Sequence, residues 1–163
     1  VVMSNTVTVG IADLNMVRSP DILVTYALGS CVGICLYDPN VKVAGLSHIL
    51  LPKSDQIPGN NAPMKFADTA IPMLVKKLST LGARPNMLKA KIAGGAQMFA
   101  SMSNASIANI GARNVAAVKE TLAKMRIPIV AEDTGANYGR TLFFSPDTYK
   151  MTIRSPKRGE WTG

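Results

Sequence analysis

The chain has 163 residues, 47% of them hydrophobic, and it carries 18 Lys and Arg against 10 Asp and Glu, a formal net charge of +8. This length predicts a single domain, residues 1–163, that folds around its own core, and no stretch reaches the ~20 consecutive apolar residues of a membrane helix. The basic residues are scattered and not interleaved with aromatics, which argues against nucleic-acid binding and favours solubility or attraction to an acidic protein surface.

The first half of the chain alternates extended apolar runs with tight turns. The runs are rich in β-branched and aliphatic residues, and the proline-containing turns at 19–21 and 38–40 separate them. Four strands are therefore predicted, at residues 6–11, 22–27, 32–37 and 43–50.

The last two of these runs predict a hairpin around a turn at residues 38–42. Residues equidistant from the centre of such a turn face each other, and the midpoint of positions 31 and 48 is 39.5, inside the turn. We therefore expect Cys31 to lie opposite His48, the only histidine of the chain.

The second half is predicted to contain two helices. Apolar residues at helical spacing predict a helix over residues 63–81 that Pro72 kinks or breaks and Gly82 ends. A second helix follows Asn109 and ends before Pro128, with one apolar stripe formed by Val115, Val118, Leu122 and Met125.

Further strands are predicted at residues 88–92, 129–132, 142–145 and 150–153. Strands therefore dominate, and the predicted fold is α+β: a strand-rich, sandwich-like core with two main helices packed on it. Residues 53–63 are rich in Pro, Gly and Asn and predict a mobile loop that could gate a site near His48. The tail after about residue 155 is expected to be flexible.

Cys31 is the candidate nucleophile. It follows Gly29 and Ser30 in a turn after an apolar run, and backbone N–H groups of such a turn can stabilise an oxyanion. A neighbouring His48 can take the thiol proton and hold the thiolate–imidazolium pair that makes sulfur a strong nucleophile. Thr25 is the candidate third member, because its hydroxyl can accept the imidazole N–H and fix the tautomer of the ring.

Ordinary packing is the alternative for each of these residues. A buried cysteine is commonly a small core hydrophobe, and we assign that role to Cys35. Thr25 also suits a strand by propensity alone, and three acidic residues compete with it as orienting groups, although their turn settings favour structural caps: Asp13, Asp21 and Asp38.

The two cysteines are expected to be free. Cys31 and Cys35 on one extended strand lie too far apart to form a disulfide, as suits a reducing cytosol, and residues 1–13 lack the basic region of a secretory signal. Two cysteines and one histidine do not make a four-ligand zinc site, so neither a metal nor another cofactor is expected.

A second group of residues is predicted to contact substrate or partner. Gly94 and Gly95 complete neither a phosphate-binding loop nor a dinucleotide motif, and they favour close approach of another backbone, for example that of a peptide substrate. At the start of the second helix Arg113 can bond a neighbouring loop or a partner carboxylate. The predicted contacts are Gly94, Gly95, Phe99 and Arg113.

Six segments, in order, resemble the successive motifs of the CheD family, the chemoreceptor glutamine deamidases of bacterial and archaeal chemotaxis. They are LGSCV at 28–32, LSHILLP at 46–52, FADTA at 66–70, KIAGGA at 91–96, NIGARN at 109–114 and AEDTG at 131–135. The likeness runs from about Thr6 to Arg154. The loop at 53–63 and the tail carry no family motif, and Ala136 stands where the family often has a second glycine.

The resemblance implies an enzyme that hydrolyses the side-chain amide of particular receptor glutamines to glutamate and releases ammonia. It implies a fold similar to the catalytic domain of the cytotoxic necrotizing factor toxins, and it assigns the family's catalytic residues to Cys31, His48 and Thr25. It also implies chemoreceptors as substrate, the phosphatase CheC as partner, and a cytoplasmic protein that meets the membrane only through receptors.

Two alternatives to this function remain open at this point. The chain could act chiefly as a module that binds CheC and restrains receptor signalling, with little deamidation. It could also be another cysteine hydrolase, a peptidase or a transamidase, that uses the same three residues.

Overall fold

The computed structural model describes residues 4–56, 62–98 and 109–163. In this part of the chain the strands are β1 (Thr6–Thr8), β2 (Asp13–Arg18), β3 (Ile22–Leu28), β4 (Val32–Asp38), β5 (Val43–Ile49), β6 (Lys89–Gly94), β7 (Ile129–Thr134), β8 (Arg140–Ser145), β9 (Lys150–Ser155) and β10 (Gly159–Thr162). The α-helices there are α1 (Ala67–Thr80) and α2 (Ile110–Lys124). None of the described helices is long and apolar enough to cross a membrane.

The strands form two five-stranded sheets. The first sheet has the order β1-β3-β8-β9-β10, and the second has the order β2-β5-β4-β6-β7. The β1–β3 and β6–β7 pairs are parallel, and the other pairs are antiparallel. The chain passes from the first sheet to the second between β3 and β4, where Cys31 lies.

The two sheets pack face to face, and the helices cover the other face of the second sheet. Between the sheets lies an apolar core to which both contribute, including Leu23, Leu46, Leu142, Phe144 and Ile153. A second core lies between the second sheet and the helices, including Ile34, Ile92, Leu74, Leu78 and Val118. Each fully buried side chain of this size stabilises the fold by about 1.5–3 kcal/mol relative to exposure. The predicted α+β class is confirmed, while the likeness to the toxin domain stays a prediction.

Three elements differ from the sequence-based prediction. β1 ends at Thr8 rather than at residue 11, and β2 was not predicted. β2 is an edge strand of the second sheet, and its polar residues on the exposed face interrupt the apolar pattern. The tail after about residue 155 contains β10, a strand that was not predicted and that pairs with β9 at the edge of the first sheet.

The first helix starts later than predicted and is not broken. Pro63 begins a 3₁₀ turn, Pro63–Lys65, and α1 starts at Ala67. α1 continues through Pro72, whose exposed ring lies on the solvent side, where water can satisfy the carbonyl that loses its N–H partner. Of the predicted loop at 53–63, Ser54–Gln56 forms a 3₁₀ turn, and residues 57–61 lie outside the described part.

Candidate active site

The turn that carries Cys31 connects the two sheets. At the end of β3 the pairing with β8 shifts register between Thr25 and Leu28, a bulge that redirects the strand. Gly29 and Ser30 follow and lead into Cys31, which directly precedes β4. We name residues 29–31 the cysteine turn.

All three carbonyl groups of the cysteine turn accept hydrogen bonds. The first accepts one from the N–H of Ala96 at 2.9 Å, and the third accepts one from the N–H of Gly95 at 2.8 Å. The middle carbonyl, that of Ser30, accepts one from the side-chain amide of Asn114 at 2.9 Å. The turn is therefore attached both to the end of β6 and to α2.

These contacts also orient the N–H groups of the turn. The C=O and N–H of one trans peptide group point in opposite directions, so fixing the carbonyls of Gly29 and Ser30 fixes the N–H groups of Ser30 and Cys31. No other residue in the described ranges accepts a backbone hydrogen bond from either group. The two N–H groups suit the predicted oxyanion role, which itself stays a prediction.

Gly94 and Gly95 allow β6 to approach the cysteine turn. Their φ angles are 111° and 67°, in the left-handed region that favours glycine. A Cβ on Gly94 would overlap the carbonyl oxygen of Cys31, and a Cβ on Gly95 would overlap Val115 of α2. The close approach that these glycines allow is therefore to other parts of this protein. Their predicted contact with a substrate stays a prediction.

His48 lies in β5 directly opposite Gly33 of β4, so the predicted register is wrong by two residues. The reason is the turn: Asp38 pairs with Val43, which centres the hairpin one position later than predicted. Because side chains alternate between the faces of a sheet, an offset of two leaves Cys31 and His48 on the same face, as diagonal neighbours. That face is directed toward the first sheet, because a Cβ on Gly33 would meet Leu142 of β8.

Thr25 connects the first sheet to the imidazole. Its Oγ1 lies 2.7 Å from Nδ1 of His48, and both side chains are fully buried. The same hydroxyl donates its only proton to the carbonyl of Val9 at 2.7 Å, since a carbonyl can only accept. Nδ1 of His48 must therefore carry the proton of the ring and donate to Thr25, which leaves Nε2 unprotonated.

Burial shifts the pKa values of the candidate base and the candidate nucleophile in opposite directions. Burial lowers the pKa of His48 from 6.5 to about 4 and raises the pKa of the Cys31 thiol above its ordinary value. Both shifts favour the uncharged forms of the imidazole and the thiol over the ion pair, which stays a prediction. Cys31 is 6% exposed and is the only one of the three side chains that reaches solvent.

The competing assignments have structural explanations. Asp38 caps its turn, because its carboxylate accepts hydrogen bonds from the backbone N–H groups of Asn40 and Arg84, at 2.9 Å each. Asp21 accepts a hydrogen bond from the N–H of Asn5, and Asp13 bonds the N–H of the next residue. None of these bonds involves the His48 ring.

Cys35 has the environment of a core residue, as predicted. It is fully buried between the sheets, and burial raises the pKa of its thiol far above the ordinary range. Both cysteines are free thiols in this structure.

The remaining predicted contacts are only partly described. Arg113 is exposed on the first turns of α2, and Phe99 lies outside the described residues. Ala136, which replaces the glycine common in the resembled family, has a φ of 59°, the conformation for which glycine is normally preferred.

Asn114 and Val9 were not identified from the sequence. Asn114 contacts the cysteine turn from 84 positions away, and Val9 contacts Thr25 from 16 positions away, so neither contact leaves a local pattern. The available signal for Asn114 was an amide on the buried face of a helix, where polar side chains need a partner.

Comparison with known proteins assigns the chain to a family. The model of the family described as CheD chemotactic sensory transduction matches residues 50–155. Three relatives named probable chemoreceptor glutamine deamidase CheD are similar over nearly their whole length. The one from Caldanaerobacter subterraneus subsp. tengcongensis is 53% identical over 156 residues, 96% of each chain. The one from Lachnoclostridium phytofermentans is 52% identical over 153 residues, 94% of this chain and 95% of the relative.

The third relative, from Clostridium botulinum strain Hall, is 52% identical over 149 residues, 91% of this chain and 92% of the relative. Among solved structures, the Bacillus licheniformis hypothetical protein YfiH matches 71% of this chain and 47% of its own, with a TM-score of 0.42 and 12% identity. A structural likeness this low supports no conclusion about function. The family model and the full-length relatives do, and the chain belongs to the CheD family.

Proposed function

We propose that this protein is a protein-glutamine deamidase that converts particular glutamines of chemoreceptors to glutamate and releases ammonia. Relatives that are 52% to 53% identical bear the name chemoreceptor glutamine deamidase. The observation that carries the chemistry is the contact between Thr25 and His48, because it leaves Nε2 free to accept a proton on the face that His48 shares with Cys31.

The first step is formation of a thioester. His48 Nε2 takes the proton of the Cys31 thiol as sulfur attacks the side-chain amide carbon of the glutamine. The N–H groups of Ser30 and Cys31 donate to the oxygen of the tetrahedral intermediate. When the carbon–nitrogen bond breaks, the imidazolium returns its proton to the leaving nitrogen, ammonia departs, and a γ-glutamyl thioester remains on Cys31.

The second step is hydrolysis. His48 takes a proton from a water molecule that attacks the thioester, and the proton then passes to the sulfur as it leaves. The products are glutamate on the substrate and the free thiol of Cys31. In this scheme the thiol and the imidazole are both neutral at rest, and each proton transfer accompanies a bond change.

The reaction adds one negative charge to the substrate. In a bundle of receptor helices, a new carboxylate adds repulsion toward any neighbouring negative charge. This change supports a role in adjusting receptor signalling.

The deciding experiment compares wild type with Cys31→Ala in an ammonia-release assay on receptor fragments. The variant is expected to lose ammonia release by at least about 10³-fold and to keep its circular dichroism spectrum, because Cys31 is the nucleophile at the surface of the core. Mass spectrometry of the fragment is expected to show a gain of about one dalton at a glutamine. A cut chain would indicate a peptidase, and an attached amine would indicate a transamidase.

Cys35→Ala is the matched control. It removes the other thiol from the same strand region, and its expected effect is a modest loss of stability with ammonia release within about two-fold of wild type. If both variants lost activity together, the assignment of Cys31 as the nucleophile would be wrong.

We also propose CheC as a partner and the cytoplasm as the location, with membrane contact only through receptors. The support is membership of the CheD family, two free thiols, and a net charge of +8 suited to an acidic protein surface. If Cys31→Ala bound CheC and restored chemotaxis in cells that lack the wild-type protein, a binding role would replace the deamidase role.

A further inference from the structure

Asn114 joins the two chain segments that carry the reacting pair. Its Nδ2 donates one hydrogen bond to the carbonyl of Ser30 at 2.9 Å and a second to the carbonyl of Leu50 at 3.0 Å. Ser30 directly precedes Cys31, and Leu50 lies two residues after His48. One amide group therefore holds both segments at once.

The position of this amide is set by the start of α2. A Cβ on Gly111 would overlap the carbonyl oxygens of Ala96 and Gly95, so glycine lets the helix lie directly on the end of β6. Asn114 follows one helical turn later on the same face. The helix is thus seated on the same residues that bond the cysteine turn, which leaves Asn114 little freedom to move.

Asn114 contacts the site through the two N–H donors of its side-chain amide and not through its amide oxygen. The residue is fully buried, and its Oδ1 has no hydrogen-bond partner in the described part of the chain. An unpaired buried amide oxygen destabilises a fold. The amide is tolerated because an apolar side chain would leave two carbonyls unpaired and would release the cysteine turn from the end of β5.

We propose that Asn114 is a positioning residue that holds the Ser30–Cys31 peptide in place relative to the strand of His48. The same peptide group contains the N–H of Cys31, so the bond to the Ser30 carbonyl also directs a proposed oxyanion donor. The inference rests on the proposed function, because it takes Cys31 and His48 as the reacting pair.

The test is a double-mutant cycle on the alkylation of Cys31 by iodoacetamide at neutral pH, followed by peptide mass spectrometry. Asn114→Ala is expected to slow alkylation about ten-fold, and His48→Ala at least as much. In the His48→Ala background, Asn114→Ala should change the rate by less than about two-fold, because no base is left to be positioned. An equal slowing in both backgrounds would overturn the proposal, and so would a His48→Ala variant that reacts like wild type.

Val118→Ala separates positioning from stability. Val118 is a buried residue of α2 in the apolar core, and its truncation is expected to lower Tm about as much as Asn114→Ala while leaving alkylation at the wild-type rate. Equal slowing by the two variants at matched Tm would make Asn114 a merely structural residue. Where Asn114→Ala does not fold, Asn114→Ser, which retains one donor, takes its place in the cycle.

Deamidation provides a second readout. Asn114→Ala is expected to lower kcat about 10- to 100-fold with KM within about two-fold, because the contact acts on the reacting atoms rather than on substrate binding. A raised KM with unchanged kcat would contradict the proposal. If wild type released no ammonia, the proposed function would fail, and the alkylation cycle would still decide the role of Asn114.

Discussion

The imidazole of His48 is enclosed between the two sheets, and its protonation is coupled to folding. Its pKa is about 4 in the folded protein against 6.5 for an unburied histidine. Between these values the unfolded chain binds a proton that the folded chain excludes. The neutral ring therefore contributes fully to stability above about pH 6.5, and this contribution is lost as the pH falls toward 4.

We predict that wild type loses on the order of 3 kcal/mol of unfolding free energy between about pH 7 and pH 4, relative to His48→Gln, which has no titrating ring. Urea unfolding of both proteins across this range measures the difference. Carboxylates titrate in both proteins and cancel in the comparison. Parallel pH profiles for the two proteins would contradict the assignment of a buried neutral His48.

Among single residues, the sequence singled out three candidate catalytic side chains but not the residues that bond them or the cysteine turn. Cys31, His48 and Thr25 are distinctive because of residue type and local setting, and the structure places Thr25 beside the His48 ring. Asn114 and Val9 act through backbone carbonyls of distant segments, and such contacts depend on how elements pack. No spacing along the chain encodes them.

The end of β6 holds the cysteine turn in position. Gly94 has a φ of 111°, and it lies directly against the carbonyl of Cys31. Any side chain there is strained by the backbone and also displaces the turn.

Gly94→Ala is expected to cost at least about 2 kcal/mol of stability and to reduce ammonia release by more than about ten-fold, because Cys31 must move away from its position. Gly82→Ala is the matched control: its φ is 96°, and a Cβ there meets nothing within 4 Å. It should lower stability by about 1–2 kcal/mol without loss of activity. Urea unfolding and the ammonia assay measure both variants, and a fully active Gly94→Ala protein would refute this role for the glycine.

Elements with a strong apolar pattern were predictable, and edge elements were not. β4 and β5 are buried along their whole length and read as continuous apolar runs. β2 and β10 lie at sheet edges and present polar residues to solvent, so their pairing follows from the strands beside them rather than from their own composition. The two-residue error in the hairpin register has a similar origin, because the length of the turn was not encoded in the strands.

An ion-pair network joins the C-terminal hairpin to the second sheet. Arg158 donates two hydrogen bonds, at 2.7 and 2.6 Å, to the carboxylate of Asp133 in β7. Arg140 of β8 donates a third at 3.0 Å. Arg140 also bonds the carbonyl of Gly135, whose N–H donates to Gly94, so the network supports the corner that holds the cysteine turn.

Removing Arg158 should therefore destabilise the fold more than removing an exposed arginine of the same hairpin. Arg158→Ala is expected to cost about 2 kcal/mol, because Asp133 is nearly buried and loses a bidentate partner. Arg154→Ala, which removes an ion pair with Glu160 between side chains 62% and 56% exposed, should cost less than about 1 kcal/mol. Urea unfolding in low salt compares the two, and equal losses would show that the network adds nothing beyond surface pairing.

The bond between Thr25 and His48 spans the two sheets, since β3 belongs to one and β5 to the other. The ring is oriented only after both halves of the sandwich have docked. Under the proposed mechanism, a chain whose two sheets have not docked lacks the oriented base and should release no ammonia from a receptor glutamine, even though its thiol is exposed.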